Sequence, residues 1–262
     1  MKRLFLAPPA GAPTPLSGPV RVFNFTLVCL LLALVFWFSF HQLHYQWNWA
    51  AVYKYRHQFV AGWLTTVWIS LAALGLSTLI GVSFALGQRS RFLPLRYLSQ
   101  IYVEAIRGTP LLVQILIFFY VVADAVRVEN RYLVGILTLA VFSGAYLTEV
   151  IRAGIESVGQ SQLESALAIG LTGAQTFRYV VFPQALRQTL PPLAGQFVSL
   201  IKDSSLLSVI AISEFTLNAQ EVNSYTFSTL ESYLPLAAGY LLLTLPISLW
   251  TRWLEKRMRF ET

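Results

Sequence analysis

Two charged residues, Lys202 and Asp203, lie side by side in an apolar stretch over about residues 190–207. Ionisable groups inside a bilayer are costly and mark either a transport pathway or a paired structural site. Neighbouring helix positions point about 100° apart, so only one of the two can face a cavity squarely. Asp203 could bind an ammonium group, with the hydroxyls of Ser204 and Ser205 as further hydrogen-bonding groups. The alternative is an ion pair between Asp203 and a cation of a neighbouring helix.

A second polar group, Gly108, Thr109 and Pro110, interrupts another apolar stretch. Proline has no backbone N–H and frees a carbonyl one turn earlier, while glycine permits a broken turn. Backbone groups at such a break can face a cavity and bind a carboxylate. A simple proline kink explains the same three residues equally well.

Residues 152–186 separate two apolar stretches and are too numerous for a passive turn. Ser161 and Glu164 have the spacing of a capping box, which reciprocally satisfies the first backbone N–H groups of a helix. This spacing predicts a short helix from Gln162 onward. Gly170 is expected to end it as the residue after the C-cap.

Thr172 and Gln175 repeat the capping-box spacing. They predict a second helix from Gly173 to about Val181, ended by Pro183. Two short helices that meet at a glycine corner between membrane segments have the form of a lever for a cytoplasmic partner. An amphipathic connector on the lipid headgroups is the alternative. Nucleic-acid binding is not expected, because the segment has few cations to neutralise phosphates.

The elements that must position these residues are membrane spans. Of the 262 residues, 56% are hydrophobic and 12% are charged, which excludes an ordinary soluble enzyme. One cysteine and three histidines are too few for a disulfide framework or a built zinc site, so we expect no metal. A span needs about 20 mostly apolar residues. Six stretches qualify when the third is extended by 97–107: 22–40, 59–87, 111–123, 133–148, 190–207 and 234–254.

Lys and Arg are concentrated in alternate loops, which predicts that both chain ends lie in the cytoplasm. The first apolar run is too long for a signal-peptide core and is not followed by a cleavage pattern, so we expect an uncleaved anchor. The expected order is a flexible cytoplasmic N-terminus (1–21), an extra span with an outer aromatic segment (22–57), a core (58–255) and a cytoplasmic tail (256–262).

A resemblance to a known family follows from these segments. Glu164-Ser165-Ala166, Gly170 and Val180-Val181-Phe182-Pro183 keep every spacing of the E-A-A-x3-G-x9-I-x-L-P coupling motif of ABC importer permease subunits, with serine in place of the second motif residue. The runs 107–114, 148–155 and 200–206 are similar to polar amino acid permeases of the histidine, glutamine and arginine type. The resemblance covers roughly residues 58–255.

The resemblance implies an all-α membrane protein with a five-helix permease core, one N-terminal anchor helix and a cytoplasmic coupling helix. It assigns ATPase coupling to Glu164, Ser165, Ala166, Gly170 and Pro183. It also adds Gln114 to the candidate substrate-binding residues Gly108, Thr109, Asp203, Ser204 and Ser205. The implied function is import of a polar amino acid across a bacterial inner membrane.

The same resemblance implies partners. We expect two ATPase subunits that bind ATP and magnesium, a second permease that is identical or homologous, an extracytoplasmic amino-acid-binding protein and surrounding lipid. The chain itself would need no cofactor. Its sequence has no G-x-x-x-x-G-K-[ST] run for ATP phosphates. The alternative is a self-contained secondary transporter or channel, which normally has an internal repeat of its spans; no second copy of 108–110 or 202–203 is present.

Overall fold

A computed structural model describes residues 18–42 and 45–258, and this part of the chain contains helices and turns without a strand. The predicted cytoplasmic ends lie partly outside the described residues, at 1–17 and 259–262. The helices, in chain order, are α1 (Gly18–His41), α2 (Trp49–Lys54), α3 (Arg56–Gln88), α4 (Leu93–Arg107), α5 (Leu111–Ile117), α6 (Arg131–Glu156), α7 (Gln160–Ala168), α8 (Gly173–Thr176), α9 (Phe182–Asp203), α10 (Phe215–Thr226) and α11 (Thr229–Met258).

Three irregular helical segments continue these helices. A π-helical turn, Phe118–Ala123, extends α5, and a second one, Phe177–Val181, joins α8 to α9. A 3-10 helix, Ser204–Ile210, follows α9 directly. Because the chain stays helical from Gly173 to Ile210, the fifth predicted span begins well before residue 190. Two adjacent prolines, Pro191 and Pro192, lie inside α9.

Five helical segments in the described part of the chain are long and apolar enough to cross a membrane: Gly18–His41, Arg56–Gln88, Arg131–Glu156, Gly173–Ile210 and Thr229–Arg257. A further pair, Leu93–Arg107 and Leu111–Ala123, passes the same test together but is bent by 108°. The six spans expected from the sequence are reached only if this bent pair forms one crossing.

The chain forms two units, residues 1–47 and 48–262. In the first unit, α1 is predominantly apolar and none of its residues is buried. In the second unit, α3 packs along α6. Glycines permit this close packing: a Cβ added to Gly81 would lie 2.7 Å from Cβ of Leu147, and one added to Gly144 would lie 2.6 Å from Cγ2 of Ile80.

Two of the apolar cores in the second unit join its long helices to the polar segments. The central core joins α3, α5, α6, α9 and the 3-10 helix through Ile69, Ile115, Leu139, Leu200 and Leu207. The other core joins α2, α3 and α10 through Val52, Phe59, Phe215, Ala219 and Val222. Since non-directional burial of apolar area stabilises such contacts, these cores fix where the polar segments lie.

Candidate functional site

The predicted helix break lies between α4 and α5. Gly108 is the C-cap of α4, and Pro110 precedes α5 with an extended backbone at φ −65° and ψ 138°. Thr109 donates through Oγ1 to the carbonyl oxygen of Ala105 at 3.0 Å. Gly108 and Thr109 are both exposed. The bend of 108° confirms a break that is much sharper than a proline kink in a continuous helix.

The side chain of Gln114 forms hydrogen bonds across this break. Its Nε2 lies 2.7 Å from the carbonyl oxygen of Ile106, 3.2 Å from that of Thr109 and 2.7 Å from Oγ1 of Thr109. Carbonyls freed at the end of a helix need such donors. The side chain is buried, and its Oε1 has no hydrogen-bond partner in the described part of the chain. Gln114 therefore positions the break, and its donors are already in use.

Asp203 is the last residue of α9, where the α-helix changes into the 3-10 helix. Its side chain is half-buried and makes no ion pair or hydrogen bond with the residues that the structure describes. Ser204 is fully buried and donates through Oγ to the carbonyl oxygen of Ile201 at 2.8 Å. Ser205 is half-buried. Of the three predicted residues, Asp203 and Ser205 thus retain accessible surface.

The structure brings the break and the Asp203 segment to the same core. Helix α5 packs against the 3-10 helix, and Leu111, Ile115, Leu207 and Ile210 share the central core. No hydrogen bond or ion pair links the break to Asp203 within 18–42 and 45–258. The helix break and the Asp203 segment are therefore both positioned by the central apolar core.

Helix α7 begins two residues earlier than predicted. Its N-cap is Gly159 and its first residue is Gln160, so Ser161 lies inside the first turn and the expected Ser161–Glu164 capping box is wrong. The Gly159 carbonyl already accepts from Gln162 at 3.0 Å, which places the start of the helix before Ser161. Glu164 instead accepts from Nε2 of Gln160 at 3.2 Å.

Gly170 ends α7 as predicted, in the left-handed conformation with φ +83°. The N–H of Leu171 donates to the Ala166 carbonyl at 3.1 Å, and the N–H of Gly170 donates to the Leu167 carbonyl at 2.9 Å. This pair of bonds is a Schellman motif, which favours glycine because it has no Cβ. Backbone geometry therefore favours glycine at position 170.

The helix after this corner begins as predicted and ends elsewhere. Thr172 and Gln175 form a reciprocal capping box, with the N–H of Thr172 donating to Oε1 of Gln175 at 2.9 Å. The sequence predicts that Pro183 ends this helix, and that prediction is wrong. Pro183 lies in the first turn of α9, just after the π-helical turn, where a missing N–H is tolerated.

The corner is anchored on both sides and exposed at its tip. Ile155, Val158, Val181 and Ala185 form a small core beneath it. Nε2 of Gln184 also donates to Oε1 of Gln162. At the tip, the exposed hydrophobic side chains are those of Leu167, at 61% exposure, and Ile169, at 77% exposure. Residues 157–183 thus form a helical corner with a small core beneath it and an apolar tip. This range, to which the sequence resemblance assigned ATPase coupling, is called the coupling segment below.

Arg107 and Arg152 each follow a glutamate by three residues, a spacing that favours a local ion pair on a helix. Arg152 contacts both oxygens of Glu149, at 3.1 and 2.8 Å, as the i, i+3 spacing indicated. Arg107 does not pair with Glu104, which that spacing also indicated. It lies 3.4 Å from Glu149 and over the ring of Tyr146, because α4 and α6 are packed together. An inter-helix contact thus replaces the local one.

Sequence reasoning missed Glu214, a fully buried carboxylate that caps α10. It accepts from the backbone N–H groups of Thr216 and Leu217 at 2.9 and 2.8 Å, and from the hydroxyl of Tyr240 at 3.0 Å. Burial raises the pKa of the Glu214 carboxyl, and the two backbone donors oppose this shift. The available signal was one carboxylate in an apolar run; the partner Tyr240 is distant in sequence.

The amino-acid sequence is similar to those of two glutamine permeases. The chain is 36% identical over 200 residues to the probable glutamine ABC transporter permease protein GlnM of Bacillus subtilis, covering 76% of this chain and 93% of that protein. It is 33% identical over 217 residues to the glutamine transport system permease protein GlnP of Escherichia coli, covering 82% and 99%.

Solved structures share the fold. A crystal structure of an amino acid ABC transporter with histidines matches with a TM-score of 0.77 and 34% identity, over 81% of this chain and 100% of that chain. The MetNI methionine ABC transporter in inward-facing conformations matches with a TM-score of 0.64 at 14% identity, which shows the fold alone. The binding-protein-dependent transport system inner membrane component family matches residues 77–260, a range that includes the helix break, the coupling segment and Asp203. The chain belongs to this family of ABC importer permeases, as its motifs indicated.

Proposed function

We propose that this chain is the membrane-spanning subunit of an importer that moves a polar amino acid into the cytoplasm, driven by a separate ATPase. The family match over residues 77–260 carries this proposal, because it contains all three polar segments predicted from the sequence. The glutamine permeases named above, matched over nearly their whole length, support glutamine or a similar amino acid as the substrate.

In this proposal the substrate binds between the helix break and the end of α9. Asp203 binds the ammonium group, because its carboxylate is accessible and has no partner among the described residues. Ser205 and the exposed backbone and hydroxyl at Gly108 and Thr109 are the remaining polar groups. Gln114 and Ser204 do not contact the substrate in this proposal. Their side chains donate hydrogen bonds to the backbone that carries these groups.

The coupling segment receives the movement of the ATPase. Gly170 sets the corner, Ala166 is buried beneath it, and Glu164 and Ser165 lie on the exposed side of α7. Pro183 lies in the first turn of the helix that leads to Asp203. Because both ends of the segment are packed on the bundle, a displacement of its tip moves α9 rather than deforming a loop. Alternating access would follow from that movement.

The proposed assembly contains two ATPase subunits, which bind ATP and magnesium, and a second permease that is identical or homologous. An extracytoplasmic binding protein would deliver the amino acid. The location is a bacterial inner membrane with both chain ends in the cytoplasm, as the loop distribution of Lys and Arg supports.

Purification of the complex from its native membrane, with identification of the co-eluting subunits, tests this proposal. The complex is then placed in liposomes, and uptake of tritiated L-glutamine is followed with and without ATP on the ATPase side. We expect uptake only with ATP and the binding protein. Uptake by the permease chain without any ATPase subunit would instead establish a secondary transporter or channel.

A further inference from the structure

A cleft of about 470 Å³ lies between α4 and the ends of α3 and α6. Because α6 leads directly into α7, the cleft is at the end of the bundle that carries the coupling segment. Its volume falls within the range of about 300–1,000 Å³ that is usual for small-molecule sites. Asp203 and Thr109 do not line it. The cleft is therefore separate from the substrate-binding residues proposed above.

One wall of the cleft has its charges paired. Arg152 contacts Glu149 at 2.8 Å and Glu156 at 2.6 Å, and Arg107 approaches Glu149 at 3.4 Å from the adjacent helix. Each carboxylate in this chain of contacts has a guanidinium partner. This wall offers little uncompensated charge to a ligand.

The opposite wall has charges without partners. Arg96, Gln100 and Glu104 follow one another at four-residue spacing on a single face of α4. Arg89 and Gln88 lie at the end of α3. In the part of the chain that the structure describes, the side chains of Arg89, Arg96 and Glu104 form no ion pair. Two cations, one anion and two amides thus face one cavity.

We propose that this cleft binds a free α-amino acid in its zwitterionic form, with a neutral polar side chain. Guanidinium groups suit a carboxylate because they present several donors in a planar fork, so Arg89 and Arg96 bind the ligand carboxylate. Glu104 binds the ammonium group, and the amides of Gln88 and Gln100 bind the polar side chain.

The proposal rests on the proposed function for the source of the ligand, which is the imported amino acid at the coupling end of the bundle. The wall with paired charges also connects the cleft to the helix break, because Arg107, which contacts Glu149, immediately precedes Gly108. A purely anionic ligand fits less well, because the Glu104 carboxylate lies in the same cavity and repels it.

Equilibrium binding of tritiated L-glutamine tests this inference. The sample is the purified permease and ATPase complex without the binding protein, carrying D203N to weaken the proposed pathway site. We expect this complex to retain glutamine binding, and R96Q or E104Q added to it to raise the Kd about tenfold. R91Q is the matched control, because Arg91 is exposed in the turn between α3 and α4 and does not line the cleft.

Loss of all glutamine binding in the D203N complex, or equal Kd values with and without R96Q, would overturn the inference. Binding of glycerophosphoethanolamine through Arg96, with no binding of glutamine there, would also overturn it and identify a lipid-headgroup site. The import assay decides the proposed function separately. A complex that binds glutamine through Arg96 but imports none retains the cleft site and loses the proposed function.

Discussion

Nε2 of Gln114 lies 2.7 Å from the carbonyl oxygen of Ile106, across the corner at which the chain bends by 108°. The two residues belong to different helices, α5 and α4. This contact lets a buried amide satisfy a carbonyl that the helical ladder cannot reach after Pro110. The break is thus a built structure with its own hydrogen bonds.

Replacing Gln114 with leucine should destabilise the permease by about 1–3 kcal/mol, because the carbonyls of Ile106 and Thr109 lose the donor that the buried amide supplies. Thermal unfolding of the purified complex measures this change. Q220L is the control, since Gln220 is exposed on α10 and has no hydrogen bond among the described side chains. Equal unfolding temperatures for Q114L and the wild type would show that the amide does not support the break.

Replacing Gly170 with valine should uncouple ATP hydrolysis from transport. The residue has φ +83°, a conformation that costs a residue with a Cβ roughly 1–2 kcal/mol, so the corner must move. The measurement is the amount of amino acid imported per ATP hydrolysed. G173A is the matched control, because a Cβ at Gly173 meets nothing within 4 Å and no positive φ is involved. An unchanged ratio in assembled G170V complex would exclude a coupling role for the corner.

Replacing Asp203 with asparagine should weaken substrate interaction. A charge-assisted hydrogen bond contributes about 1.5–3 kcal/mol, so half-maximal uptake should need roughly ten- to hundredfold more amino acid. The initial rate of uptake against amino acid concentration measures this shift. Basal ATPase activity is the control for assembly and should stay near that of the wild type. Normal uptake by D203N at limiting amino acid would assign Asp203 a structural role.

Thiol labelling should place the coupling segment inside the cell. In a C29S background, a cysteine at Ser161 should react with an impermeant reagent only after the membrane is opened. A cysteine at Glu129, in the turn before α6, should react in intact cells. Labelling of S161C from outside would reverse the predicted orientation of every span.

Local backbone chemistry was the part of the structure that could be predicted best. The break at Pro110, the left-handed Gly170 and the capping box of Thr172 each depend on residues within one or two turns. Such features follow from a missing N–H, a missing Cβ or a side chain that reaches its own backbone.

Contacts between distant segments could not be predicted in the same way. Arg107 has Glu104 one turn away, but its guanidinium lies against Glu149 because α4 and α6 are packed together. Glu214 is stabilised in part by Tyr240, which belongs to a different helix. The residue pattern predicts a helix end at Pro183, because it carries no signal of the π-helical turn that precedes this proline.

Pro191 and Pro192 give the helical segment from the coupling corner to Asp203 an uneven bending stiffness. Two successive prolines remove two successive backbone hydrogen bonds, so the resistance to bending is lowest there. A displacement along the helix axis is still transmitted through the segment. A bending movement is instead absorbed at the two prolines. The two halves of the segment, one near Pro183 and one that carries Asp203, can therefore rotate by different angles. A large movement of the coupling corner need not displace Asp203 by an equal distance.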